Sequence, residues 1–95
     1  MPDFTCITEV RNSFHLSQHR AAAPEDALRA HIAALPFDDG TGPFDEELDW
    51  LRSISGGDRS VELMRVRQCA GTWLWLDGAR FEPKYVTYIV RTAVV

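Results

Sequence analysis

Apolar and polar residues alternate through the opening of the chain in two runs. Phe4, Cys6, Thr8 and Val10 share one side of the first; Phe14 and Leu16 share one side of the second, with His15, Ser17 and His19 opposite them. A period of two is the mark of a half-buried strand, because successive side chains leave the backbone on opposite faces. Asn12-Ser13 between the runs predicts a tight turn, since asparagine tolerates positive φ. The hairpin predicted this way buries Phe14 and Leu16 and leaves His15, Ser17 and His19 facing away from the core.

The period then lengthens. Pro24 stands at a first helical position, Glu25 and Asp26 suit the positive end of a helix, and Leu28, Ile32 and Leu35 recur at i, i+4, i+7 before Pro36. Ala23, at the cap position, has no side-chain acceptor for the first amides. Phe37 to Pro43 holds two Gly, two Asp and a Pro and predicts a loop. A shorter helix follows from Pro43, with Phe44, Leu48 and Leu51 on one stripe, Trp50 and Ile54 beside it, and Gly56-Gly57 closing it.

Strand patterns return at Val61 to Cys69, Thr72 to Leu76 and Tyr85 to Thr92, separated by Ala70-Gly71 and by Asp77 to Lys84. The last run interleaves Val86, Tyr88 and Val90 with Tyr85, Thr87 and Ile89; both faces are partly apolar, which predicts a strand inside the sheet. The order β-β-α-α-β-β-β implies an α+β fold, an antiparallel sheet with two helices packed on one face. The opposite sheet face is the natural place for a partner.

Ninety-five residues suit one domain, 1–95, with a small core. Apolar residues at 45% and charged ones at 25% exclude a disordered or fibrous class. The longest uncharged run, Gln68 to Leu76, falls far short of the roughly 18–20 apolar residues of a membrane helix. No basic segment followed by an apolar one opens the chain, so no secretory signal is expected. Cys6 and Cys69 are too few for a disulfide scaffold. Both lie in apolar runs that predict reduced, buried thiols, a Cys6 to Cys69 bridge being the alternative, and the cytoplasm follows as compartment.

The net charge is −4, and it is unevenly spread. Residues 1–51 carry ten acids against three bases, and residues 52–95 carry seven bases against four acids, so −7 and +3 give the total. Asp45, Glu46, Glu47 and Asp49, with Asp38 and Asp39 before them, form an acidic surface that suits a basic partner in the manner of an inhibitor; a solvated helix start is the plainer reading.

Trp73 and Trp75 fall on one face of their strand and Leu74 and Leu76 on the other. Two indoles beneath helices would each need an N–H partner, so the leucines are expected under the helices and the tryptophans on the open face, near Arg65, Arg67 and Tyr85. Trp, Tyr and Arg are the residues of interface hot spots, and the expected use is contact with another protein or with a second copy. Base stacking or small-ligand binding is the alternative use of the same set. The acidic balance, with an isoelectric point near 5.2, and the lack of an RNP-like string oppose nucleic acid.

Catalytic chemistry finds little support. His15 and His19 on one strand are about 13 Å apart, too far to share an ion, and His31 lies on a helix. Solvated or hydrogen-bonded histidines are the plain reading. Gly40-Thr41-Gly42 and Ser55-Gly56-Gly57 are too short to cradle phosphate and lack the lysine. No base is placed beside an activated Cys or Ser by sequence alone. No metal, no cofactor and no enzymatic activity are expected.

The segments FTCITEV, SFHLSQHRAAAPEDALRAHIAAL, GTWLWLDG and YIVRT together resemble a group of uncharacterised small bacterial α+β proteins. In that group a hairpin runs into a Ser-Pro-Glu-Glu-Ala-like helix start and the chain ends in a Trp strand and an Ile-Val-x-Thr strand. The matching positions are Ser17-Gln18, Ala23 to Leu28, Trp73 or Trp75, and Ile89 to Thr92, and the resemblance implies the fold without a function. Glu25-Asp26-Ala27 is also similar to the helix start of HicB-type antitoxins, whose glycine-bearing lead-in and DNA-binding tail have no counterpart here. The expectation is a non-enzymatic interaction module that binds a protein partner or itself through the open face of the sheet.

Overall fold

The computed structural model describes residues 2–10, 13–35, 45–56, 61–76 and 85–92. The turn expected at Asn12-Ser13 starts outside them, as do the loop at Phe37 to Pro43, the helix start at Pro43 and the connection from Asp77 to Lys84. The elements are β1 (Asp3–Val10), β2 (Ser13–Arg20), α1 (Pro24–Ala34), α2 (Asp45–Ser55), β3 (Met64–Arg65), β4 (Thr72–Leu76) and β5 (Val86–Thr92). The fold is α+β, and the sheet is antiparallel throughout with the order β2-β1-β5-β4-β3. β5 lies in the middle, which explains why both its faces read as partly apolar.

The run expected from Val61 to Cys69 pairs over only two residues. After Val66, whose N–H donates to the Thr72 carbonyl, the chain curls through bonds from Cys69 N–H to the Val66 carbonyl and from Thr72 N–H to the Cys69 carbonyl. Gly71 completes that curl at φ +72°, and a Cβ there would stand 3.3 Å from the Arg91 Cβ, so a side chain meets both strain and a neighbour.

α1 begins at Pro24 as its sequence dictates, with Ala23 in the cap position and no side-chain cap. Ala27, Leu28 and Ile32 are buried against Phe4 and Cys6 of β1 and Ile89 of β5, and α2 adds Leu48 and Leu51 to the same core. The helices also finish each other's ends. Arg52 of α2 donates to the carbonyls of Ala33 and Leu35 at 3.1 and 3.4 Å, and Arg29 of α1 donates to the Ser55 carbonyl at 2.9 Å. The last carbonyls of a helix lack partners within it, so each guanidinium stabilises the other helix's terminus and joins the pair. Arg52→Ala is therefore expected to cost about 1–2 kcal/mol, read as a lowered urea midpoint with unchanged slope.

Two face assignments made from sequence are corrected. Trp73 pairs with Ile89 and Trp75 with Thr87, and Ile89 pairs in turn with Cys6. These partners all face the helices, so the tryptophans face them too: Trp75 is 4% exposed, and Trp73 is half-buried with its ring edge-on to Phe4 at 6.0 Å. The area of two indoles outweighs the demand of their N–H groups where two eleven-residue helices leave a wide core to fill. Leu74 and Leu76 take the other face. On β2, the pairs Phe4 with His19, Cys6 with Ser17 and Thr8 with His15 put the polar set toward α1 and leave Phe14 and Leu16 outside, 64% and 60% exposed. The Cys69 thiol is exposed rather than buried, and it and Cys6 are both free.

Candidate functional site

The residues singled out by sequence do not gather into one surface. Trp75 and Tyr85 belong to the core, where neither ring offers a face to a ligand. Arg65 stands opposite Trp73 at the end of the sheet, and Arg67 lies in the curl that follows; both are exposed. Asp49 is exposed on α2, whereas the side chains of Asp45, Glu46 and Glu47 lie outside the described residues.

The corrected faces create a surface that the sequence reading placed elsewhere. Met64 pairs with Leu74, Leu74 with Tyr88, Tyr88 with Ile7, and Ile7 with Leu16. Directly opposed residues share a face, so these five side chains form one uncharged row across all five strands on the side away from the helices. Leu76, Val86, Phe14 and the exposed Glu9 opposite Phe14 flank the row at one side. Thr72, Val90, Thr5 and Gln18 flank it at the other, where Thr5 bonds to Gln18 and Thr92 at 3.1 Å each and Arg20 pairs with Asp3 at 3.2 Å. Five strands at about 4.8 Å spacing make the row about 20 Å long. Met64, Tyr88, Phe14 and Leu16 are between 45% and 64% exposed, an unusual cost to leave in water.

On the helix side, a chain of polar groups crosses the interior. His31 of α1 is 1% exposed; its Nε2 lies 2.8 Å from the Thr8 hydroxyl and its Nδ1 2.6 Å from the Ser17 hydroxyl. Thr8 continues to Thr87 at 2.7 Å, and Ser17 to His19 Nε2 at 2.7 Å. Every hydroxyl here has a partner, which lets a buried polar seam join helix to sheet without loss. Sequence reasoning set His31 apart because nothing local brings a helix residue to strand residues 14 and 23 positions away along the chain.

The seam looks like an activated serine beside a base, but its electrostatics oppose that chemistry. Burial first, then the nearby His19 and His15, push the His31 ring from the usual 6.5 down to about 4. The group behind it is a threonine hydroxyl rather than a carboxylate, so accepting the Ser17 proton would leave an uncompensated imidazolium in the interior. Cys6 is no better as a nucleophile: burial pushes its thiol up to about 12, and its sulfur sits 3.7 Å from the Ala27 carbonyl. Among the described residues no three His, Cys, Asp or Glu are grouped to hold a metal ion, and no helix is long and apolar enough to cross a membrane.

A recess of about 250 Å³ opens where β2 meets the C-terminal end of α1. His15, Ser17 and His31 give it a polar wall, Ala34 and Leu35 an apolar end, and β2 borders it at Phe14 and Leu16. No protein-family model, curated protein or solved structure matches the chain.

Proposed function

We propose that the protein is a non-enzymatic interaction module whose open sheet face packs against the same face of a second copy. The observation that carries this reading is the uncharged row of Met64, Leu74, Tyr88, Ile7 and Leu16. The surface has the anatomy of an interface, an apolar centre with hydrogen-bonded and charged groups confined to its rim. Its ion pair, Asp3 with Arg20, is internally neutral, and Glu9 stands at the hairpin end of the face, off the central row, so two copies meet without like charges at the centre despite the overall −4. A face of about 20 by 20 Å, doubled and allowing for its relief, reaches the order of 1,000 Å² at which specific interfaces begin. Sheets packed this way interdigitate their side chains at about −30°. The exposed thiol of Cys69 suits a reducing compartment, and the cytoplasm is the proposed location.

Sedimentation velocity over a concentration series tests the reading. Wild-type chain should run at twice the chain mass, and Tyr88→Glu, which puts a charge at the centre of the row on an already exposed position, should run as a folded monomer with unchanged circular dichroism. A wild-type monomer throughout, or a Tyr88→Glu protein that still dimerises, would falsify it.

A further inference from the structure

β2 is an outer strand, and among the described residues no further strand pairs with its outer edge. It is eight residues long, has no proline, and carries no Asp, Glu, Lys or Arg from Phe14 through His19. Edges of this kind are usually blunted by charge, proline or shortness, because their outward amides and carbonyls are a template for another strand. The outward groups are identifiable. Ala21 N–H donates to the Pro2 carbonyl in the register that pairs β1 with β2, and hydrogen-bonded pairs alternate along an antiparallel ladder. The inward pairs are thus Phe4 with His19, Cys6 with Ser17 and Thr8 with His15, which leaves the backbone of Phe14, Leu16 and Gln18 pointing off the sheet.

The recess lies beside that same edge, on the helix side. A strand added to β2 would lay alternate side chains toward α1, and one of them would enter the recess between Ser17 and the Ala34-Leu35 end of the helix. Its size, about 250 Å³, is below the roughly 300–1,000 Å³ of sites for small molecules and suits one side chain. A second copy is the poorer occupant. Antiparallel pairing of β2 with itself keeps the helix side of both strands on one face, so it would offer His15, Ser17 or His19 to Ala34 and Leu35.

We propose that β2 takes up an extended, uncharged segment of a partner polypeptide as a sixth strand, with one aliphatic side chain of that segment seated in the recess. Backbone bonds to Phe14, Leu16 and Gln18 supply affinity that is indifferent to sequence, and the recess supplies the selection. The proposal deepens the interaction reading by naming a class of partner. It uses the outer edge and α1 rather than the centre of the open face, so either can fail without the other.

The probe is a fluorescein-labelled peptide of alternating threonine and valine around a central leucine, with a lysine at each end, titrated with the full chain by anisotropy. A twin peptide has aspartate at the centre. Two variants act off the central row: Ala34→Trp fills the recess from an exposed helix position, and Gln18→Pro removes an outward amide at an edge site where proline is tolerated. Saturable binding of the leucine peptide is expected, weakened about tenfold or more by the central aspartate and by either variant, with the sedimentation of Ala34→Trp unchanged. Absence of binding up to roughly 1 mM chain, or equal affinity for the two peptides, overturns the proposal. So does wild-type affinity in Ala34→Trp, and so does conversion of Ala34→Trp to a monomer, which would assign the edge to a second copy.

Discussion

Trp75→Ala is expected to cost the fold about 3–5 kcal/mol, a large part of the 5–15 kcal/mol typical of a whole domain. The indole is 4% exposed on the helix side of β4, among residues of the one core that both helices share. Its removal leaves a cavity that strands paired on both sides cannot close, since β4 is held by β3 and β5. Leu74→Ala, one position away on the open face, is expected to cost the monomer about 1 kcal/mol or less, because that side chain is only half-buried until a partner covers it. Urea unfolding of both variants, followed by circular dichroism at a concentration where the chain is monomeric, measures the difference. A larger loss in Leu74→Ala than in Trp75→Ala would mean that the leucine, not the indole, lies beneath the helices, and the row across the open face would vanish with that exchange.

Acid is expected to weaken the fold through His31. Its ring titrates near 6.5 in the unfolded chain and near 4 in the folded one, chiefly because burial disfavours the charged form and His19 and His15 add repulsion. The unfolded state therefore takes up the proton first as the pH falls. The stabilisation is fully present above about pH 6.5, shrinks through the interval down to about 4, and is spent below it. The shift amounts to about 3 kcal/mol over that interval, a slope approaching one proton. Stability measured in urea at steps between pH 7 and 4 should show this slope in the wild type and lose about one proton's worth of it in His31→Gln, whatever that variant's stability at neutral pH. Identical slopes in the two proteins would remove His31 as the cause.

Much of the fold was legible in the chain because the relevant forces are local. Pro24 with Glu25 and Asp26 starts α1 where expected, since proline's fixed φ and the helix dipole act within one turn. The alternating runs announced β1, β2, β4 and β5, and the two-sided apolar character of β5 announced its central place. β3 failed because its ladder is cut short by a curl whose bonds run from Val66 to Thr72, a matter of turn geometry that alternation does not carry. The candidate surface failed for a sharper reason. Alternation says which side chains share a face and is silent on which face is covered, and on both β2 and β4 the helices cover the face opposite to the one expected. The bulk of Trp73 and Trp75 outweighs the demand of their two N–H groups, and the polar set of His15, Ser17 and His19 shares its side of the sheet with His31, the one polar residue on the apolar side of α1.

That division follows the range of the forces involved. Period, capping and charge act over a few residues, and from them the chain alone prescribes β1, β2, β4 and β5, its first helix, its α+β class and the acidic character of its first half. Which flank of each strand meets the helices is decided only when residues far apart close on one another: Ile89 on Cys6, Trp75 on Thr87, His31 on Thr8 and Ser17. Those contacts put the indoles beneath the helices, join His19 and His31 into a seam with one buried ring, and turn Leu16, Ile7, Tyr88, Leu74 and Met64 outward as a single apolar row. A strand slipped or flipped by one residue would exchange the two faces entirely, and only the summed packing of the whole core selects between them.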